Sequence, residues 1–226
     1  MLRIIGDVHG HHRQYKELIK DADYSIQIGD MGFKDTYFHI HSVNPLSHVF
    51  IPGNHDDYDH LPTQALGNYG HRHLGDPSKG LFEFFFIRGA LSVDKKYRTE
   101  GVSWWREEEL NTEQMNKAYT AWVRRMPQLV ISHDCPHSIM QMFMANDWKM
   151  LPSSTGKLLE ALYAQRPPKL WIFGHHHNTK AIMKDDTLFV CLDELDHIDI
   201  ADHTADVNTI RDEIIKQIPL STSIIH

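Results

Sequence analysis

The chain has 226 residues and a mass of 26.3 kDa, which suffices for one large domain or two small ones. Its residues are 41% hydrophobic and 23% charged, as in ordinary globular proteins, and no apolar run approaches the roughly 20 residues that a membrane span needs. The formal net charge of −7 argues against an extended nucleic-acid track, which needs a basic stripe, but it is compatible with a small phosphate substrate beside a bound metal.

Five short apolar runs each end in a turn that carries polar side chains. In chain order they are Leu2–Ile5 before GDVHG, Tyr24–Ile28 before GDMG, His48–Ile51 before PGNHDD, Leu129–Ile131 before SHDCP and Leu170–Phe173 before GHHH. Short apolar runs that are closed by turn residues are typical of buried strands. Residues 81–93 and 187–194 are predicted to be further strands.

Amphipathic segments between these runs predict helices. They span residues 11–22, 111–126, 153–166 and 206–218. Asn111 or Thr112 is suited to cap the second helix, and Ser153 or Ser154 is suited to cap the third. Strands that alternate with helices predict a layered α/β fold, in which ligands bind outside the carboxyl ends of the strands. No internal repeat or low-complexity linker divides the chain, so we predict one domain over residues 1–226.

The N-terminus and the cysteines indicate the compartment. The first residues enter a strand-like pattern at once and lack the layout of a signal peptide, so we expect a cytoplasmic protein. Cys135 and Cys191 are too few for a disulfide framework in a chain of this size. We expect both to be reduced thiols in or near the core.

The five polar turns offer only oxygen and imidazole donors. These are Asp7, His9, Asp30, Asn54, His55, His133, His175 and His177. A closed structural zinc site favours cysteines, whereas this mixture suits a metal such as Mn, Fe or Zn. One metal with an open position needs only about three protein ligands, so the number of candidates indicates two metals.

The turn motifs carry a family resemblance. GDVHG, GDMG, GNHD, SHD and GHHH occur in the order and at the spacing of the calcineurin-like metallophosphoesterase superfamily, which the chain resembles from residue 7 to residue 177. The resemblance implies an α/β fold in which two mixed β-sheets form a sandwich flanked by helices. It also implies hydrolysis of phosphate esters with two divalent metals, manganese first and iron, zinc, cobalt or nickel as alternatives.

The resemblance further assigns roles to individual residues. Asp7, His9 and His177 would bind the first metal, Asn54, His133 and His175 would bind the second, and Asp30 would bridge the two. His55 would not be a ligand. It would contact the substrate phosphate or protonate the leaving oxygen, which makes it the expected general acid.

Two motifs depart from the serine/threonine protein phosphatases of this superfamily. Those enzymes carry GD-x-V-D-R-G and GNHE, whereas this chain reads GDMGFKD and GNHDDYDHL, with Phe33 in place of the second Asp and no Arg soon after either motif. His55 therefore needs another partner, for which Asp56 is the candidate. A protein phosphatase is kept as the alternative to a small phosphomonoesterase or phosphodiesterase, and nucleotides are a substrate class to test.

The segment from Phe86 to Leu110 is open to two interpretations. Its arginines and tryptophans could line the active site, with Arg88 and Arg98 gripping phosphate. Alternatively, its tryptophans belong to the core and its glutamates cancel the positive charge. Arg88 and Arg98 are the candidate substrate-binding residues.

Two other interpretations of the whole chain carry less weight. A non-catalytic scaffold with the same fold is free to lose metal ligands, whereas this chain keeps the complete set. A nuclease that acts on long polymers is disfavoured by the net charge of −7 and by the lack of a C-terminal DNA-binding addition. Within the histidine triplet, His176 lies between two predicted ligands, and in an extended segment its side chain points away from theirs.

Overall fold

A computed structural model describes residues 1–143 and 153–221. Within these ranges the elements are β1 (Leu2–Ile5), α1 (His12–Ile19), β2 (Tyr24–Gln27), α2 (Lys34–Ile40), β3 (His48–Phe50), β4 (Tyr69–Asp76), β5 (Gly80–Ile87), α3 (Thr112–Arg125), β6 (Leu129–Ser132), α4 (His137–Phe143), α5 (Ser154–Gln165), β7 (Leu170–Phe173), β8 (Lys180–Lys184), β9 (Thr187–Cys191), β10 (His197–Ile200) and α6 (Val207–Gln217). Two short 3₁₀ helices, Lys95–Tyr97 and Arg106–Glu108, lie between β5 and α3.

The strands form two mixed sheets. The first sheet has the order β10-β1-β2-β3, in which β1, β2 and β3 are parallel and β10 is antiparallel. The second sheet has the order β4-β5-β6-β7-β9-β8, in which β4 and β8 are antiparallel edge strands around a parallel centre. This architecture confirms the predicted α/β fold with two sheets flanked by helices.

The two sheets pack face to face around a shared apolar core. Ile4 of the first sheet and Ile172 of the second belong to this core, and Ile214 of α6 joins it. The neighbouring side chain Ile5 points to the opposite face of β1, where it packs with Tyr15 of α1. Successive side chains of a strand alternate between faces, so strands buried on both faces appear as continuous apolar runs in the sequence.

Helices cover the outer face of each sheet. α1 and α2 cover the first sheet, while α3, α4 and α5 cover the second, where Trp122 and Leu159 pack near Trp171. The C-terminal segment completes the scaffold, since β10 pairs with β1 and α6 packs against the core between the sheets. In the described part of the chain, no helix combines the length and apolar content that a bilayer crossing requires.

The predicted boundaries hold best where capping chemistry is strong. Asn111 caps α3 in a reciprocal arrangement with Gln114, and the Ser153 side chain accepts a hydrogen bond from the backbone N–H of Gly156 at the start of α5. The strand predicted for residues 81–93 is too long, because β5 ends at Ile87 and the chain turns at Gly89 with φ +83°. Helices α2 and α4 and strands β4, β8 and β10 are absent from the prediction.

Candidate metal centre

The five polar turns follow the carboxyl ends of β1, β2, β3, β6 and β7. Parallel strands place these ends at the same edge of a sheet, and the two sheets face each other. The fold thereby brings together side chains that are far apart in the chain, such as His9 and His177, which are separated by 168 positions.

Asp7, His9 and His177 form the first group of donors. Nε2 of His177 lies 3.3 Å from Oδ2 of Asp7 and 3.2 Å from Nε2 of His9. One donor atom from each of the three residues lies within 4.8 Å of the others. Oδ2 of Asp7 is buried and has no hydrogen-bond partner among the described residues. An unpaired buried carboxylate oxygen is unfavourable, so a cation at this point would satisfy it.

Asp30, His133 and His175 form a second group with the same spacing. Nε2 of His133 lies 3.3 Å from Oδ1 of Asp30 and 3.0 Å from Oδ1 of Asn54. Nδ1 of His133 lies 3.0 Å from the carbonyl oxygen of Ile28, so a neutral ring that donates a hydrogen bond there would carry its lone pair on Nε2. This is the tautomer that a metal ligand needs.

The carboxylate of Asp30 lies between the two groups. Its Oδ2 is 3.7 Å from Nε2 of His9, and its Oδ1 is 3.3 Å from Nε2 of His133. Each oxygen therefore faces a different donor group, which is the arrangement of a carboxylate that bridges two cations. The mixed oxygen and nitrogen donors of both groups fit divalent transition metals.

The field of the two carboxylates dominates the electrostatics of the site. Burial opposes ionisation of Asp7, but the imidazoles of His177 and His9 beside its carboxylate outweigh burial and lower the pKa of Asp7 to about 2. Burial likewise opposes ionisation of Asp30, but the charge and hydrogen bond of His133 hold its pKa well below the usual value. Asp30 in turn raises the pKa of His133 to about 10 against the effect of burial. The same negative potential would attract a divalent cation.

The backbone of the site is strained at four of the candidate ligands. His9, Asp30, His175 and His177 adopt φ values of 46°, 54°, 64° and 45°, in the left-handed region that residues with a Cβ rarely occupy. Such conformations cost about 1–3 kcal/mol each and cluster at functional sites. Burial also lowers the pKa of His175 to about 3, which keeps its imidazole neutral at physiological pH.

Two glycines let the backbone approach the donor atoms. A Cβ on Gly29 would collide with the ring of His133, and a Cβ on Gly53 would collide with Oδ1 of Asp30 and lie 2.6 Å from Nε2 of His133. Any larger residue at these positions would displace candidate ligands.

Ser92 orients the side-chain amide of Asn54, a contact that the sequence did not predict. Nδ2 of Asn54 donates to Oγ of Ser92 at 3.2 Å, so Oδ1 of Asn54 faces His133. The backbone N–H of Ser92 is itself held by the buried carboxylate of Glu108 at 3.0 Å. Ser92 thus determines which end of the Asn54 amide is presented to the site.

We expect the Ser92→Ala variant to bind Mn²⁺ more weakly by about 10- to 100-fold, the usual effect of losing a group that orients a metal ligand. Titration calorimetry of the metal-stripped protein measures this affinity. The matched control is Ser78→Ala, whose hydroxyl bonds only to Asp76 in the exposed turn between β4 and β5. Unchanged affinity in Ser92→Ala would show that the Asn54 amide does not depend on this contact.

His55 lies beside both donor groups and contacts an arginine. Its backbone N–H donates to Oδ1 of Asp30 at 2.7 Å, and its ring meets that of His9 edge-on at 5.2 Å. Nη2 of Arg98 lies 2.9 Å from Nδ1 and 2.8 Å from Nε2 of His55. Burial lowers the pKa of His55 and Arg98 adds to the decrease.

Asp56 does not contact the His55 ring as predicted. Its carboxylate accepts hydrogen bonds from the backbone N–H groups of Gly32 at 3.0 Å and Gly53 at 2.7 Å, and from Oη of Tyr37 at 2.9 Å. These three donors occupy the carboxylate, and none of its hydrogen bonds among the described residues goes to the His55 ring. Asp56 instead joins the turn that carries Asp30 to the turn that carries Asn54.

Arg88 is likewise not available to substrate. The residue is only 4% exposed, and its guanidinium donates to Oδ1 of Asn68 at 2.7 Å and to the carbonyl oxygen of Glu107. It also lies 4.5 Å over the ring of Tyr58. Of the two candidate phosphate-binding arginines, the structure brings only Arg98 to the site.

The segment around His176 is not extended as expected, because His175 and His177 adopt left-handed φ values, and the His176 ring meets the His175 ring edge-on with 4.9 Å between centroids. Nε2 of His176 lies 3.2 Å from Oδ1 of Asp134 and 3.4 Å from Sγ of Cys135. Both cysteines, Cys135 and Cys191, are buried and free. Asp134, Cys135 and His176 therefore form a buried polar contact behind the site.

Comparisons with known proteins place this arrangement in context. The profile of the calcineurin-like phosphoesterase family matches residues 2–179, whereas no curated protein matches the sequence. The structure of the phosphopantetheinyl hydrolase from Mycobacterium tuberculosis is similar over 85% of this chain and 89% of that chain, with a TM-score of 0.54 and 12% identity. A candidate 5′-nucleotidase from Staphylococcus aureus in complex with alpha-ketoglutarate is similar over 85% of this chain and 48% of that chain, with a TM-score of 0.50 and 12% identity. At these identities the two structures show a shared fold.

Proposed function

Because this chain belongs to the calcineurin-like phosphoesterase family, whose members are metal-dependent phosphoester hydrolases, we propose that it hydrolyses small phosphate esters with two divalent cations and His55 as general acid. One observation carries this proposal. The Asp30 carboxylate directs one oxygen toward each of two donor groups. Within each group, the donor atoms of the three residues lie within 4.8 Å of one another. A single cation would need only one of the two groups.

The residues of the chain divide the work. Asp7, His9 and His177 would hold one cation and Asn54, His133 and His175 the other, with Asp30 between them. Two cations bound there would polarise the phosphoryl oxygens and lower the pKa of water. His55, anchored through its backbone N–H to Asp30, would hold the proton that the leaving oxygen needs on a ring nitrogen. Asp56 joins the turn that carries Asp30 to the turn that carries Asn54, through hydrogen bonds from the backbone N–H groups of Gly32 and Gly53.

The native metal and the substrate are finer parts of the proposal. We propose manganese as the first choice of metal, with iron, zinc, cobalt and nickel as alternatives, since all suit mixed oxygen and imidazole ligands. The net charge of −7 does not exclude a small phosphate ester such as a nucleotide, because bound metals would supply positive charge locally. A cytoplasmic location also stays a prediction.

We expect chelation with EDTA to abolish hydrolysis of p-nitrophenyl phosphate and added Mn²⁺ to restore it. A panel of phosphomonoesters, phosphodiesters, nucleotides, cyclic nucleotides and phosphopeptides, compared by kcat/KM with the metal-loaded protein, then identifies the substrate class. Preference for phosphopeptides would favour the protein phosphatase alternative. Full activity after metal removal, verified by elemental analysis, would contradict the proposal.

A further inference from the structure

The segment between β5 and α3 is fixed against the turn that carries Asn54 and His55. The backbone N–H of Gly89 donates to the carbonyl oxygen of Pro52 at 2.8 Å, at the start of this segment. Near its end, Nε1 of Trp105 donates to Oδ2 of Asp59 at 2.9 Å, and Trp105 is only 4% exposed. Both interpretations of the segment are therefore partly correct, because one tryptophan anchors it in the protein while Arg98 reaches the site.

Arg98 is held in place by contacts within the segment. Its Nε lies 2.8 Å from Oδ1 of Asp94, one helical turn earlier, and its Nη1 donates to the carbonyl oxygen of Ser103 at 3.1 Å. The side chain is only 12% exposed. A guanidinium with two of its three nitrogens bound to protein acceptors has little freedom to reorient.

The third nitrogen of Arg98 faces the site. Among the described residues, Nη2 contacts only the ring of His55, at 2.9 Å from Nδ1 and 2.8 Å from Nε2. Nη2 carries two N–H donors, whereas an imidazole ring has at most one acceptor nitrogen in any protonation state. At least one donor of Nη2 is therefore left for another acceptor, and guanidinium donors match the oxygens of a phosphoryl group.

We propose that Asp94 is a positioning residue that holds Arg98 so that Nη2 donates to a non-bridging phosphoryl oxygen of the substrate beside His55. This inference rests on the proposed function. It gives the chain a phosphate-binding arginine in a segment after β5, whereas no arginine closely follows its GNHD motif. Arg98 is then a catalytic residue that contacts substrate, and Asp94 acts only through Arg98.

Other cations of the same segment are differently placed. Arg106 is 77% exposed and pairs with Glu100 at the surface. Lys95 lies 5.8 Å over the ring of Trp104, and Lys96 lies 4.8 Å over the ring of Tyr97. Arg106→Ala therefore removes a positive charge of the segment without touching the site, which makes it the matched control.

The test compares Arg98→Ala, Asp94→Asn, the double variant and Arg106→Ala, all loaded with Mn²⁺. We expect kcat/KM for p-nitrophenyl phosphate to fall by about 10²–10³-fold in Arg98→Ala, the usual loss when one donor to a developing negative charge is removed. Added guanidinium chloride should partly restore its rate. Asp94→Asn should lose roughly 10-fold, and the double variant should be no worse than Arg98→Ala, because contacting residues are non-additive. Arg106→Ala should match wild type.

A second readout does not need turnover. Inorganic phosphate should bind the Mn²⁺-loaded protein more weakly in Arg98→Ala and Asp94→Asn than in wild type, as measured by calorimetry, while metal content and melting temperature stay at wild-type values. Additive losses in the double variant, or unchanged phosphate affinity in both single variants, would overturn the proposal. If the proposed function itself were wrong, the wild-type protein would show no metal-dependent hydrolysis, which distinguishes that outcome from failure of the Arg98 proposal.

Discussion

The Asp30→Asn variant is expected to lose bound metal and activity together. Asparagine keeps the shape of the side chain and its acceptor for the backbone N–H of His55, but it removes the negative charge that faces both donor groups. Asparagine also has only one acceptor oxygen, so it cannot direct an oxygen toward each group. Asp30 is only 1% exposed, so water cannot reach its side chain to compensate for the loss of the negative charge.

The expected size of the loss follows from the contribution of the cations. Metal ions contribute several kcal/mol to stabilising a phosphoryl transition state, and about 4 kcal/mol corresponds to roughly 10³-fold in rate. Elemental analysis after dialysis measures the metal content, and p-nitrophenyl phosphate hydrolysis measures the rate. The matched control is Asp35→Asn, an exposed carboxylate in the first turn of α2. A variant at Asp30 that retains two metals per chain would refute its bridging role.

The His55→Ala variant is expected to keep its metals and lose about 10²–10⁴-fold in rate, the usual contribution of a general acid. The loss should depend on the leaving group. p-Nitrophenolate is a weak base that leaves without much help from a proton, so the defect should be smaller for p-nitrophenyl phosphate than for an alkyl phosphate. This dependence separates proton donation from a loss of substrate affinity.

Metal analysis of His55→Ala also decides between two roles. His9, Asp30 and His55 themselves lie close enough to hold a cation, so proximity alone leaves His55 as a possible ligand. The guanidinium of Arg98 lies against both ring nitrogens of His55 and disfavours that role, because its positive charge would repel a cation bound to the ring. The exposed His41→Ala is the control for loss of an imidazole. Metal loss in His55→Ala, but not in His41→Ala, would make His55 a ligand.

Local sequence patterns determined most of the scaffold. Apolar runs closed by turns that contain Gly or Pro predicted β1, β2, β3, β6 and β7 to within a residue or two, because strand burial and turn conformation depend on neighbouring residues. The caps Asn111 and Ser153 are local for the same reason. Helix α2 was missed because seven residues are too few for a helical period to stand out.

The sequence also determined which side chains would meet at the site. Parallel strands bring their carboxyl ends to one edge whatever the length of the connection, so residues as far apart as His9 and His177 could be assigned to one crevice. The family resemblance then sorted them into two groups, and the structure brings together the donors of both. Their role as ligands stays a prediction for the metal analyses to test.

Only the tertiary structure decided the second layer of contacts around the site. Nothing in the sequence distinguishes Arg88 from Arg98. In the structure Arg88 is buried against Asn68, whereas Arg98 contacts His55, 43 positions away in the chain. Asp56 binds backbone N–H groups rather than the His55 ring, and Ser92 orients Asn54. These pairs depend on where irregular segments return to the sheet edge. The course of these irregular segments cannot be predicted from a periodic sequence pattern, because it depends on packing between residues that are distant in the chain.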